Sequence, residues 1–234
     1  MATVEKRNTL GPRATMSALG FISGFVDTLG FIALFNLFAA HITGNVVLIA
    51  ASLVDQRYGL AIKLLAIPTF IVAAIVTRFY IIRRERRVLD ATAHVLIAEA
   101  VLLAAFMAIA LASAPFKSQD SPAAIATGLL AATAMAVQNT AARTFMNGLP
   151  PTTVMTGNLM QIIVDAVDVL HRHGKLEPKR DRLSRLVPLM LAFSAGAIGG
   201  AVGYVTIGFL ALIAPILVAL TLGLFGRPHS AAVV

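Results

Sequence analysis

The sequence predicts an all-α polytopic membrane protein with about six transmembrane helices and two short re-entrant half-helices, arranged as two inverted repeats. Three observations carry this expectation. Of 234 residues, 58% are hydrophobic and 13% charged, and the mean hydropathy is +0.85, outside the range of soluble domains. Apolar runs long enough to cross a hydrocarbon core of about 30 Å recur along the chain. The triplet Thr43-Gly44-Asn45 returns 113 residues later as Thr156-Gly157-Asn158, each time opening a short helix-like run.

Residues 1–14 read as a basic N-terminal tail, followed by a first span at Thr15–Phe38. That apolar run is about twice a signal-peptide core and carries Asp27, so it reads as a retained span. The first triplet segment, Thr43 to Val54, would extend only about 18 Å as a helix and is expected to dip in and return. Spans at Leu64–Ile82 and His94–Ala114 complete the first repeat, residues 15–114. An external loop, 115–122, leads to the second repeat, 123–226, which opens with a span at Ala123–Phe145. The second triplet segment, Thr152 to Leu170, is long enough to cross, but Asn158, Gln161, Asp165 and Asp168 interrupt it. A basic loop, 171–185, precedes two spans within Leu186–Phe225, broken near Gly203–Gly208, and residues 227–234 form the C-terminal tail.

Charge decides what length does not. The net charge of +8 is concentrated in the tail (Lys6, Arg7, Arg13), in Arg83, Arg84, Arg86 and Arg87, and in the stretch from Arg172 to Arg185. Basic clusters beside spans mark the cytoplasmic side, so an even number of crossings must separate each pair of clusters. The remaining spans already supply that number, which leaves both triplet segments re-entrant and both termini inside. Three full spans per repeat then make the second copy enter from the opposite face. At the same offset as the triplets, Asp55 aligns with Asp168 and Ser52 with Asp165; Phe70 aligns with Phe193 at a spacing of 123.

The basic balance suggests no nucleic-acid partner, because aromatic interleaving and any recognisable nucleic-acid module are absent. With no cysteine, disulfides, thiolate metal sites and cysteine nucleophiles are excluded. No cofactor or metal is expected. The expected partners are the lipid bilayer, an unidentified small solute and, as a further candidate, a second copy of the chain.

Asn158, Gln161, Asp165 and Asp168 recur at helical spacing and share one face, with Asn45, Ser52 and Asp55 as a thinner copy. Such a stripe reads as pore-lining, or as the polar side of a helix lying among headgroups. In the triplets, threonine can cap, glycine permits a break or close approach, and asparagine offers donors and acceptors. Asp27, in mid-span, is costly unless paired, hydrated or protonated, and is read either as a coupling carboxylate or as a structural one bonded to Ser23, Thr28 or a neighbouring helix. Gln138-Asn139 occupies the corresponding place in the second repeat. The expected substrate-binding or pore-lining set is therefore Asp27, Thr43, Gly44, Asn45, Gln138, Asn139, Thr156, Gly157, Asn158, Gln161 and Asp165. Arg143 is a candidate partner for Asp165 or Asp27. Glu99 and Arg78 are expected at the interface, His41 is a titratable or rim residue, and Gly196, Gly199, Gly200 and Gly203 form a close-packing strip.

With Gly24-Phe25-Val26-Asp27, Gly30-Phe31, His41-Ile42-Thr43-Gly44-Asn45, Gln138-Asn139 and Thr156-Gly157 in place, the chain resembles the YoaK-like family of bacterial membrane proteins, domain of unknown function 1275. The resemblance implies a multi-pass protein of the bacterial cytoplasmic membrane with about six helices, and lends no substrate. Ala73 and Thr77 stand where the counterpart helix has Gly196 and Gly200, so helix packing in the two repeats is not expected to match exactly.

The expected function is small-solute transport, coupled to protons in its sharper form, through a central site at the duplicated triplets. The alternatives are a channel for small neutral solutes and a non-transporting scaffold. An enzyme is not expected, since no paired-histidine metalloprotease motif or glycine-framed serine is present.

Overall fold

Pro12 at the first helical position, with no N–H to satisfy, opens α1 (Pro12–Ala33) in the computed structural model, which describes residues 11–52, 54, 59–87, 89–145 and 152–225. Then follow α2 (Gly44–Ser52), α3 (Leu60–Glu85), α4 (Thr92–Ser113), α5 (Pro122–Phe145), α6 (Met155–Leu170), α7 (Leu176–Ile207), a 3-10 turn at Gly208–Leu212, and α8 (Ile213–Phe225). Among the described residues there is no strand. Asp55, Lys6, Arg7 and the C-terminal tail lie outside the described residues, so the alignment of Asp55 with Asp168 has no structural counterpart here.

Among the described residues, four helical stretches are long and apolar enough to cross a membrane: α1, α3, α4 and the stretch from Leu176 to Phe225. The last breaks at Gly208, whose φ of 63° is open to glycine at little cost, and the chain reverses there into α8. The reversal falls at the C-terminal end of the window expected for it, Gly203–Gly208. The expected span at Ala123–Phe145 is helical over 24 residues but is not among the four. Its Thr, Gln and Asn side chains lower its hydropathy, and burial of most of its surface by other helices removes the need for an apolar exterior. The stretch 171–185, read as a loop, is helical from Leu176 and forms the first turns of α7.

Helix α1 packs mainly on α7, α3 on α5, and α4 between α5 and α8. The α1–α7 contact is parallel and close, because glycines face backbone. A Cβ on Gly196 would lie 2.1 Å from the Phe21 carbonyl oxygen, one on Gly200 2.4 Å from that of Phe25, and one on Gly24 2.2 Å from that of Phe193. The expected glycine strip is thus a helix–helix seam, and α1 contributes its own glycines to it.

These contacts fix which helix ends lie together. Gly59, before α3, packs against Phe35, after α1, and against Gln119, before α5. Arg13 at the start of α1 reaches Asp181 at the start of α7 (2.9 Å), Ile81 of α3 clusters with Val137 and Ala141 of α5, and Gly223 of α8 packs on Ile97 of α4. One end of the bundle therefore gathers Arg13, Arg83–Arg87, Arg143 and the basic start of α7. Phe35 and Gly59 lie together at the opposite end, and Phe145 packs beside Ile81 near the basic end.

Candidate functional site

After α1 the chain reverses through Phe35 and Asn36, both left-handed (φ 54° and 63°). Lys63, fully buried, secures the reversal by donating to the carbonyls of Phe35 (2.7 Å) and Gly59 (3.1 Å). Residues 37–43 then run back toward the middle of α1 without regular structure, so their backbone needs outside partners. Asp27 provides them. Its Oδ1 accepts from the N–H groups of Ala39 (2.7 Å) and Ala40 (2.6 Å); its Oδ2 accepts from the N–H of His41 (3.2 Å) and meets His41 Nδ1 at 2.5 Å. Asn45 serves Phe38 on both sides, accepting from its N–H (2.9 Å) and donating to its carbonyl (2.7 Å). Asp27 and Asn45 are thus committed to holding the segment before α2, and Ser23 and Thr28 are not the partners of Asp27.

The second half repeats the device with other atoms. Asn139 of α5 accepts from the hydroxyl of Thr153 (2.5 Å), just before α6, and the two residues are 14 apart, as are Asp27 and His41. Gln138 serves a different contact. It is fully buried and ties α5 to α1 by donating to the Leu19 carbonyl (3.0 Å) and to Ser23 Oγ (2.7 Å).

Between these two tethered segments lies an open cleft of about 780 Å³. Ala40 to Thr43 and Thr153-Val154 contribute the segments before α2 and α6; Asn139, Thr140, Arg143 and Thr144 the last turns of α5; Phe70, Arg78 and Glu85 the face of α3. Its lining extends to the basic end, where α3 and α5 finish. Of the expected site residues it gathers Thr43 and Asn139; Gly44, Thr156 and Gly157 sit at the starts of the short helices, and Asn158 is buried on α6. Phe193, the counterpart of Phe70, meets the His41 ring edge-on at 5.4 Å.

The polar stripe of α6 also lies outside the cleft. Arg182 of α7 grips Asp165 with two bonds of 2.6 Å, Gln161 donates to Asp165 (3.0 Å), and Lys179 binds Asp168 (2.7 Å). The stripe faces the basic start of α7, while Leu159, Ile163, Val167 and Leu170 face outward. Arg143 pairs with neither Asp165 nor Asp27, whose partners are Arg182 and His41. The hydrogen bond from Arg182 holds the Asp165 carboxyl below the usual aspartate range. A depressed folded-state pKa contributes stability at pH values above the unfolded value of about 4, lost as pH falls through the lower, folded value. Acidification from pH 5 to 3 is therefore expected to lower the melting temperature of the wild type more than that of Asp165→Asn. Parallel pH profiles would remove this ion pair as a stabilising contact.

Arg78 is exposed near the basic end of α3, where it lines the cleft with Glu85 at 3.5 Å. The expectation that Glu99 lies at the interface is corrected. Glu99 is fully buried, and neither of its carboxyl oxygens has a hydrogen-bond partner among the described residues. It shares the inward stripe of α4 with Leu96, Leu103 and Phe106, which α5 and α8 cover. Lys63, Thr140 and Thr153 were not singled out by their sequence context; the signal for Lys63 was a lone cation at the start of an apolar run.

Residues 15–225 match the family described as "Protein of unknown function (DUF1275)". The chain belongs to this family. Among its relatives is the UPF0700 transmembrane protein YoaK of Bacillus subtilis (strain 168), 27% identical over 200 residues, covering 85% of this chain and 84% of the relative. The resemblance in the sequence is thereby established over most of its length. No solved structure matches the chain.

Proposed function

We propose that this family member is an inverted-repeat carrier of the bacterial cytoplasmic membrane, and that its solute path runs through the cleft between the two triplet segments. One observation carries the reading: the two duplicated segments, tethered by Asp27 and Asn139, border the same cavity. Irregular backbone at membrane depth is tolerated where it is buried in protein or lines a water-filled space.

The helix pairings support the inverted repeat. Exchanging α1–α4 with α5–α8 maps α1–α7 onto α5–α3, α2–α3 onto α6–α7, and α1–α8 onto α5–α4. Both α3 and α7 carry an interior proline, Pro68 and Pro188. With α2 only 9 residues long, about 14 Å, and Phe35 beside Gly59, the first segment suits a re-entrant path. The second, leaving and returning at the basic end, suits the inverted copy. Concentration of arginine at that end supports a cytoplasmic orientation for it and for both termini. Single cysteines introduced as Glu85→Cys and His173→Cys are expected to react with an impermeant maleimide only from the cytoplasmic side. Labelling of either in intact cells would remove the orientation.

Transport is tested with purified protein in liposomes exposed to a mixture of small metabolites, with internal solute read by mass spectrometry. At least one solute is expected to accumulate above protein-free vesicles, and Ala40→Trp, which fills the cleft, is expected to abolish that accumulation. Vesicles with and without protein taking up the same solutes at the same rate would end the carrier reading.

A further inference from the structure

We propose that the cleft recognises a small organic monoanion that itself carries hydrogen-bond donors: a hydroxy-carboxylate. The proposal rests on the carrier reading and names the substrate class of that site.

The charge on the walls sets the first requirement. Arg78 has Glu85 within 3.5 Å, and the Asp27 carboxylate is occupied by three backbone N–H groups and His41. Arg143, on the wall of the cleft, has no partner among the described residues. The cleft therefore presents one uncompensated guanidinium, a planar donor fork that fits a carboxylate. A monoanion balances it; a dianion would leave a charge over.

The hydroxyls set the second requirement. Thr140 and Thr144 flank Arg143 on one face of α5, and each hydroxyl hydrogen is already used within the helix, on the carbonyls of Ala136 (2.8 Å) and Thr140 (2.8 Å). The Thr153 hydroxyl donates to Asn139 Oδ1 (2.5 Å), and the Asn139 amide donates to the Met135 carbonyl (2.9 Å). Beside the guanidinium, then, three hydroxyl oxygens are left with lone pairs to offer and no proton to give. A ligand that enters must satisfy them with its own O–H or N–H groups or leave them without water. Chloride, nitrate and simple fatty acids bind the cation and fail the hydroxyls; polyols do the reverse. A volume of about 780 Å³ admits molecules from lactate to sugar acids.

The test uses the full-length protein in detergent and in liposomes, with matched probes: lactate against propionate, gluconate against hexanoate, and glycerol as the uncharged donor. Lactate and gluconate are expected to raise the melting temperature and to enter vesicles, with propionate and hexanoate about tenfold weaker, as loss of one good hydrogen bond implies. Arg143→Gln is expected to weaken lactate at least tenfold and leave glycerol unchanged. Thr140→Val, close to isosteric and lacking the acceptor, is expected to narrow the gap between lactate and propionate without weakening propionate. Propionate binding as tightly as lactate, or glycerol matching lactate, overturns the proposal. Uptake of cations or uncharged solutes alone overturns it while leaving the carrier reading in place; uptake of nothing above protein-free vesicles defeats both.

Discussion

Gly196→Ala is expected to unseat α1 from α7 and to lose most of the folded protein. The added methyl would lie 2.1 Å from the Phe21 carbonyl oxygen and 2.9 Å from the carbonyl carbon. Side chains escape such a collision by rotating; a helical carbonyl cannot, because it is bound into its own ladder. Relief requires the two helices to separate, with loss of the dispersion contacts along the seam. Overpacking of this kind costs about 1–3 kcal/mol and occasionally more, and a clash with backbone belongs at the upper end. Gly24→Ala, 2.2 Å from the Phe193 carbonyl oxygen, is expected to do the same from the other side. Gly199→Ala is the control: its methyl would rest 3.4 Å from the Phe25 ring, an ordinary contact, and its melting temperature should match the wild type. Equal melting of Gly196→Ala and Gly199→Ala, followed by size-exclusion fluorescence after heating, would mean that the seam is not this close.

Asp27→Ala is expected to be the second most damaging change, through the backbone rather than through transport. It removes the acceptor of the Ala39, Ala40 and His41 N–H groups at once, in a buried stretch with no secondary structure to replace it. Each stranded donor costs about 1–3 kcal/mol, so a total of about 3 kcal/mol or more, and a fall of about 10 °C in melting temperature, is expected for a chain of this size. Asp27→Asn retains one oxygen but turns an amide N–H₂ toward the donors of His41, and is expected to lie between Ala and wild type. A coupling carboxylate would be felt first in pH-driven uptake; the hydrogen bonds to the segment before α2 make folding the first casualty of this substitution. A variant Asp27→Asn that melts with the wild type would show that the segment before α2 is held by something else.

What the sequence made legible, and what it hid, follows from the kind of partner each residue has. Apolar length located four long apolar helical stretches but not α5 as one of them, and Gly208 fell at the end of the expected break because a glycine after a long helix is a signal in itself. The stripe of Asn158, Gln161, Asp165 and Asp168 was legible as one face of a helix. Its partners were not, since Arg182 and Lys179 lie in a basic stretch that resembled a solvated loop and proved to be the start of α7. Asp27, Asn45 and Lys63 were harder for a deeper reason: each binds main-chain N–H or C=O groups, which every residue carries and no letter of the sequence records. Glu99 sits on the buried stripe of α4, but a helix apolar on all sides has no polar face to say which way is in. Within the cleft, Thr43 and Asn139 came from the duplication, whereas Arg78 and Thr140 are brought there by the packing of α3 on α5, and Thr153 by its bond to Asn139.

The pairing of α1 with α7 has a consequence for how the protein is made. Helix α1 leaves the ribosome some 160 residues ahead of the part of α7 that it packs on. Until that part is made, the α1 glycines, Gly20 and Gly24, lack the α7 backbone they pack on. A gene cut within the connection between α4 and α5 should accordingly yield two fragments that are each degraded alone and survive when produced together.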